Sequence, residues 1–121
     1  MTIPSAAHLL GQAGEAAAAA YLRAQGYAIV QQNYRYRRAE VDLIAQRGQE
    51  LLVFAEVKTR SSIQFGHPEE FVTERKRQLF RLAAEQYQVE VNWAGDIRFD
   101  ILALIQVTGG FRIEHFEDAF T

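Results

Sequence analysis

The chain has 121 residues, of which 49% are apolar and 23% charged, and its net charge is −2. That length and apolar fraction suit a single domain, residues 1–121, with a real hydrophobic core. The absence of cysteine excludes disulfides and a Cys-based zinc site, and the longest apolar run is far short of a membrane span. The start, Met1-Thr2-Ile3-Pro4, lacks a basic region followed by a long apolar stretch, so a cytoplasmic protein with no membrane partner is expected.

Residues Ser5 to Gln25 read as a helix, because Ala13 and Ala16 to Ala20 are strong helix formers and Gly26 is a natural stop. Gly11, Gly14 and the alanines leave one side nearly flat, which permits close packing on a sheet. Glu15 lies within this small-residue zone, on a stripe with His8, Gly11, Ala18, Ala19 and Leu22. Taken alone, it reads as a solvent-facing glutamate of an amphipathic helix. Tyr27 to Asn33 reads as the first strand. In the following run, Asn33 to Arg38, Tyr and Arg interleave, a mixture that can stack on bases while neutralising phosphates. Tyr34 and Tyr36 are expected to pack on the sheet, whereas Arg37 and Arg38 lead directly to Asp42 and are expected to face phosphate.

Two apolar strands come next, Ala39 to Ile44 and Leu51 to Lys58, joined by a turn at Arg47-Gly48-Gln49. Both carry charges that a sheet interior disfavours. Asp42 sits between Val41 and Leu43, and Glu56 and Lys58 flank Val57. A buried carboxylate without a partner is costly, so such groups are normally paired, hydrogen-bonded or metal-bound. Side chains alternate along a strand, so Glu56 and Lys58 share a face. With an odd-numbered connection, even positions oppose even positions, and Asp42 joins them; a two-residue turn or a bulge would break that inference. Two carboxylates and an ammonium at one sheet edge can hold a hard cation and a phosphate together, and oxygen ligands suit Mg²⁺.

Residues 59 to 68 form a polar loop in which His67 reads as a turn residue. A second helix starts either at Pro68 or at a Thr73 cap and runs to about Gln88. Its buried stripe is Val72, Leu79, Phe80, Leu82, Ala83 and Tyr87. Arg75, Arg77, Gln78 and Arg81 lie on the wet face, with Lys76 near the edge. Ile97 to Ile105 reads as an interior strand in which Arg98 and Asp100 pair with each other or with Lys58. Gly109-Gly110 turns the chain into a short last strand or tail. Phe111, Ile113, Phe116 and Phe120 there would either form an apolar contact surface or simply cover the core. Bulk charge gives no support to nucleic-acid binding, but only two of the thirteen basic residues are Lys. The basic residues cluster at 35–38, 58–60 and 75–81, consistent with one phosphate-facing side.

Asp42, then about a dozen residues, then Glu56-Val57-Lys58 is the spacing of the PD-(D/E)xK nucleases. The flanking residues narrow the resemblance: Gly14-Glu15, Gly26-Tyr27, Asn33-Tyr34-Arg35, Glu40-Val41-Asp42-Leu43-Ile44, Glu56-Val57-Lys58-Thr59-Arg60, Phe65-Gly66, Lys76 and Arg98-Phe99-Asp100. In this order the chain resembles the YraN family, also called UPF0102, over about residues 9 to 105. The fold resembles that of archaeal Holliday-junction resolvases. One departure is Ala39, where that family usually has Gly.

The resemblance implies a restriction-endonuclease-like α/β fold, with a central mixed sheet flanked by two main helices in the order α-β-β-β-α-β-β. It implies hydrolysis of phosphodiester bonds in DNA, including branched or junction DNA. Asp42 and Glu56, the Val57 carbonyl and Glu15 would bind Mg²⁺ or Mn²⁺, and Lys58 would hold the attacking water and offset charge on the phosphate. Arg37, Arg38, Arg60, Arg75 and Lys76 would contact nucleic acid, and a homodimer would suit a two-fold junction. A competing expectation is a module on the same fold that binds nucleic acid or a protein partner without cutting.

Overall fold

The computed structural model describes residues 2–61 and 72–121. The elements are α1 (Ala6–Ala24), β1 (Ala28–Tyr36), β2 (Ala39–Arg47), β3 (Leu51–Arg60), α2 (Glu74–Val91), β4 (Asp96–Val107) and β5 (Gly110–Phe120). The strands make one sheet in the spatial order β1-β2-β3-β4-β5. Neighbours are antiparallel except β3 and β4, which are parallel and joined through α2. Ala18, Ala19 and Leu22 of α1 close an apolar cluster on one face, and Phe80, Ala83, Ala84 and Tyr87 of α2 close a second on the other. A mixed sheet between two helices in this order is the restriction-endonuclease-like α/β architecture expected.

The limits of α1 follow from its sequence. The Ser5 hydroxyl accepts the His8 backbone N–H at 3.0 Å, and Gly26 leaves the helix with φ of +94°. Gly14 is the point of closest approach to the sheet. A Cβ there would lie 2.1 Å from Thr59 Oγ1 and 2.9 Å from Thr59 Cβ. The missing side chain lets α1 settle on the end of β3, and it seats the next residue, Glu15, beside that end.

Of the two starts open for the second helix, the structure takes Thr73. Its Oγ1 accepts the Lys76 N–H at 3.2 Å. The helix runs past Gln88 to Val91 and ends at Asn92, whose φ of +52° is the left-handed conformation that Asn tolerates. His67, Pro68 and the Phe65-Gly66 pair lie outside the described residues. β5 is a strand of 11 residues rather than a short tail. Phe120 is buried against Phe99 and Phe80, while Phe111, Ile113 and Phe116 pack on the two clusters, so these residues cover the core. Among the described residues no helix is long and apolar enough to cross a membrane.

The β2–β3 connection is Gly48 to Glu50, three residues, and is therefore odd. Leu43 pairs with Ala55 and Ile44 with Phe54, so even positions do oppose even positions. The alternation nevertheless changes phase at Asp42. Val41 belongs to the α2-side cluster and Leu43 to the α1-side cluster, although residues two apart on a regular strand share a face. Asn33, in the neighbouring stretch of β1, has φ of +52°. The β2–β3 pairing stops at Leu43–Ala55, so the two strands part beside Asp42.

Candidate functional site

The parting of β2 and β3 makes the site. Asp42 projects toward β3 along the sheet, and its Oδ2 accepts the Val57 backbone N–H at 2.7 Å. A backbone donor that lost its strand partner is thus satisfied by a side chain. In an extended strand the N–H and C=O of one residue leave from the same edge, so the Val57 carbonyl faces the same gap. Glu56, one residue earlier, is 3% exposed. Its Oε1 receives two amines: Lys58 Nζ at 3.2 Å and, in a hydrogen bond, Lys76 Nζ from the first turn of α2. Among the described residues, Glu56 Oε2 is buried with no hydrogen-bond partner.

Glu15 approaches from α1. Burial raises its carboxyl above the ordinary 4.5; a hydrogen bond from Asn33 opposes the rise, and Glu40 and Glu56 add to it. Its Oε1 is also buried without a partner among the described residues. Asp42 is pushed further, to about 7, first by burial and then by Glu56; the Val57 N–H pulls the other way, Glu15 adds to the rise, and Lys76 lowers it. Two carboxyls raised in this way by burial and by neighbouring acids mark a site short of positive charge. The acid-rich set, with its orphaned buried oxygens, fits a hard divalent cation, which is held by oxygen donors and takes only one or two carboxylates when it is Mg²⁺. Among the described residues no three or more His, Cys, Asp and Glu side chains gather tightly enough to hold a metal ion. The oxygen donors available at the parting are Asp42, Glu56 and the Val57 carbonyl, and Glu15 reaches toward them from α1.

Asp42 is shared by two depressions. One, of about 340 Å³, lies toward α2 and is lined by Arg38, Glu40, Thr73, Arg75 and Lys76. The other, of about 520 Å³, lies toward α1 and is lined by His8, Gln12, Glu15, Lys58 and Arg60. Basic side chains thus line the recess on either side of the acid pair, the arrangement expected of a surface that meets a polyanion.

A family model described as "Uncharacterised protein family UPF0102" matches residues 14–104. The chain belongs to UPF0102. Curated UPF0102 proteins cover nearly all of it. One from Christiangramia forsetii is 47% identical over 92% of this chain and 92% of its own length. One from Chlorobium limicola is 45% identical over 93% and 92%, and one from Chlorobium phaeobacteroides is 42% identical over 93% and 94%.

The expected site residues divide into three groups. Asp42, Glu56, Lys58 and Lys76 meet at one place, and Glu15 borders it. Arg38, Arg60 and Arg75 line the two depressions. Arg37 stands apart: it occupies the β1–β2 turn with φ of +56°, its guanidinium 5.2 Å from the Tyr36 ring centre. Ala39, where UPF0102 usually has Gly, is 1% exposed within the α2-side core and has no positive φ, so the backbone there does not require Gly. Asn33 and Thr73 were missed as contributors. Asn33 carried a signal, an amide inside a strand where Asn is depleted. Arg98 and Asp100 do pair, at 2.8 Å, and not with Lys58.

Proposed function

We propose that this protein is a divalent-metal-dependent nuclease that hydrolyses phosphodiester bonds in DNA, with branched or junction DNA as its substrate class. The observation that carries the proposal is the pairing of half-buried Asp42 with buried Glu56 at the strand parting, with Lys58 on Glu56 and arginines on both sides. Asp42, Glu56 and the Val57 carbonyl would hold Mg²⁺ or Mn²⁺. The chemistry supplied by such an ion is polarisation of a phosphoryl oxygen and acidification of a water. Lys58 orients the attacking water and offsets charge as it builds on the phosphate. Glu15 steadies the water shell from α1. Arg38 and Arg75 on one side, and Arg60 on the other, hold the phosphates flanking the scissile one.

A second reading is a binding module that grips nucleic acid without cutting it. The absence of a three-acid cluster among the described residues favours it. The two readings separate on purified protein incubated with junction, flap, single-stranded and duplex DNA in Mg²⁺ or Mn²⁺. Cleavage is expected, with Asp42→Ala and Lys58→Ala each losing about 10²-fold or more, since a few kcal/mol of transition-state stabilisation corresponds to that factor. Cleavage that persists unchanged in both variants would sink the assignment. Tight binding with no cleavage of any substrate would establish the binding module instead.

A further inference from the structure

Lys76 occupies an electrostatically awkward position. It is the third residue of α2, in the first turn, where the helix dipole concentrates positive charge. Its charged neighbours in the α2-side depression are the cations Arg75 and Arg38 and the acids Glu40 and Asp42. It nevertheless points inward and hydrogen-bonds Glu56 Oε1, the oxygen that Lys58 already approaches at 3.2 Å. Both ammoniums fall on this one oxygen, while the other, Oε2, is left without a partner among the described residues. Lys58 cannot move far, because it shares a strand with Glu56. Lys76 comes from a separate helix on a long stem, and its side chain remains 36% exposed along the depression.

We propose that Lys76 is a built-in competitor for the divalent cation, which leaves Glu56 when the ion binds and turns to a phosphate in the α2-side depression. This rests on the metal-dependent reading above and adds a regulatory step to it. Both states neutralise Glu56, once by the amine and once by the ion. Once the ion is seated, its charge and the helix terminus both repel Lys76, and Arg38 and Arg75 complete an anion site with it. Metal and nucleic acid then favour one another through a single side chain, and the coupling is reciprocal. An apo protein that holds its own cation is also protected from the repulsion between Asp42 and Glu56.

Calorimetric titration of the purified protein with Mn²⁺, without nucleic acid, tests this directly, with Lys76→Met and Lys76→Gln as the variants. Both are expected to bind Mn²⁺ more tightly, on the order of tenfold, within the range of measured couplings. In a second measurement, Ca²⁺ is expected to strengthen junction-DNA binding to the wild-type protein and to have less effect on the variants. Equal or weaker Mn²⁺ binding by folded variants, while Asp42→Asn abolishes wild-type binding, would overturn the competitor role and leave the metal site standing. Mn²⁺ binding that is absent from the wild type, or indifferent to Asp42→Asn, would overturn both. Thermal unfolding of each variant identifies those that are folded.

Discussion

Two acidic clusters, one buried around Asp100 and one half-buried around Asp42, Glu56 and Glu15, share this sheet and are built on opposite terms. Asp100, 0% exposed, has both carboxylate oxygens filled. Arg98 donates to both at 2.8 and 2.9 Å, the Asp118 N–H reaches Oδ1 at 3.1 Å, and His115 Nε2 lies 2.7 Å from Oδ2. Tyr27 and Tyr21 extend the network through Arg98 and His115. Burial alone would raise the Asp100 carboxyl, but His115, Arg98 and the Asp118 N–H outweigh it and hold the group below its ordinary 3.8. At Asp42 and Glu15 burial prevails, and neighbouring acids add to the rise. The first cluster ties α1, β4 and β5 together. The second leaves its electrostatic demand unmet, which is what the proposed metal site calls for.

That contrast predicts that neutralising each acid affects stability in opposite directions. The largest effect is expected from Asp100→Asn, which leaves Arg98 without its anion. About 3–5 kcal/mol should be lost in denaturant unfolding, the usual cost of breaking a buried pair from one side. Gly14→Ala comes next. The new methyl meets Thr59, so α1 must lift, costing about 1–3 kcal/mol in the same assay. Because Glu15 moves with the helix, this variant should also weaken Mn²⁺ binding.

Acid titration sharpens the comparison further. Asp100 has a folded carboxyl below the unfolded value of 3.8, so its contribution is fully present above about pH 4 and fades as pH falls through the folded value. Wild-type unfolding free energy should therefore drop below pH 4 by up to about 1.4 kcal/mol per pH unit more steeply than that of Asp100→Asn. The smallest effect is expected at Asp42. Asp42→Asn keeps an acceptor for the Val57 N–H and removes a crowded negative charge. In chelator at pH 8 it should stabilise the protein by about 1 kcal/mol while abolishing activity, the trade common at functional sites. A destabilised Asp42→Asn would mean that the Asp42 carboxylate is held as firmly as that of Asp100.

Much of this was readable from the residues. Ser5 and Gly26 bracket α1 by cap chemistry that is local in sequence, and the three-residue β2–β3 turn sets the even-to-even register up to Leu43–Ala55, beyond which the parting of the strands, not the register, turns Asp42 to β3. Lys76 was recognised as a candidate, but its partner was not, because a helix-to-strand contact leaves no spacing signal. The change of face at Asn33 and Asp42 escaped for a related reason. Strand alternation is a local rule, and here it yields to packing on two different helices. The Arg98–Asp100 pair was visible from its i, i+2 spacing. The His115 and Asp118 contacts to Asp100 come from the returning strand, so they depend on tertiary pairing.

The break between β2 and β3 has one more consequence. The Val57 amide is held by a carboxylate instead of by a neighbouring strand. Its proton resonance and its exchange with deuterium thus follow the charge state of Asp42, whereas the amides at the middle of the sheet follow only global opening. A single backbone signal becomes a gauge of whatever occupies the cleft.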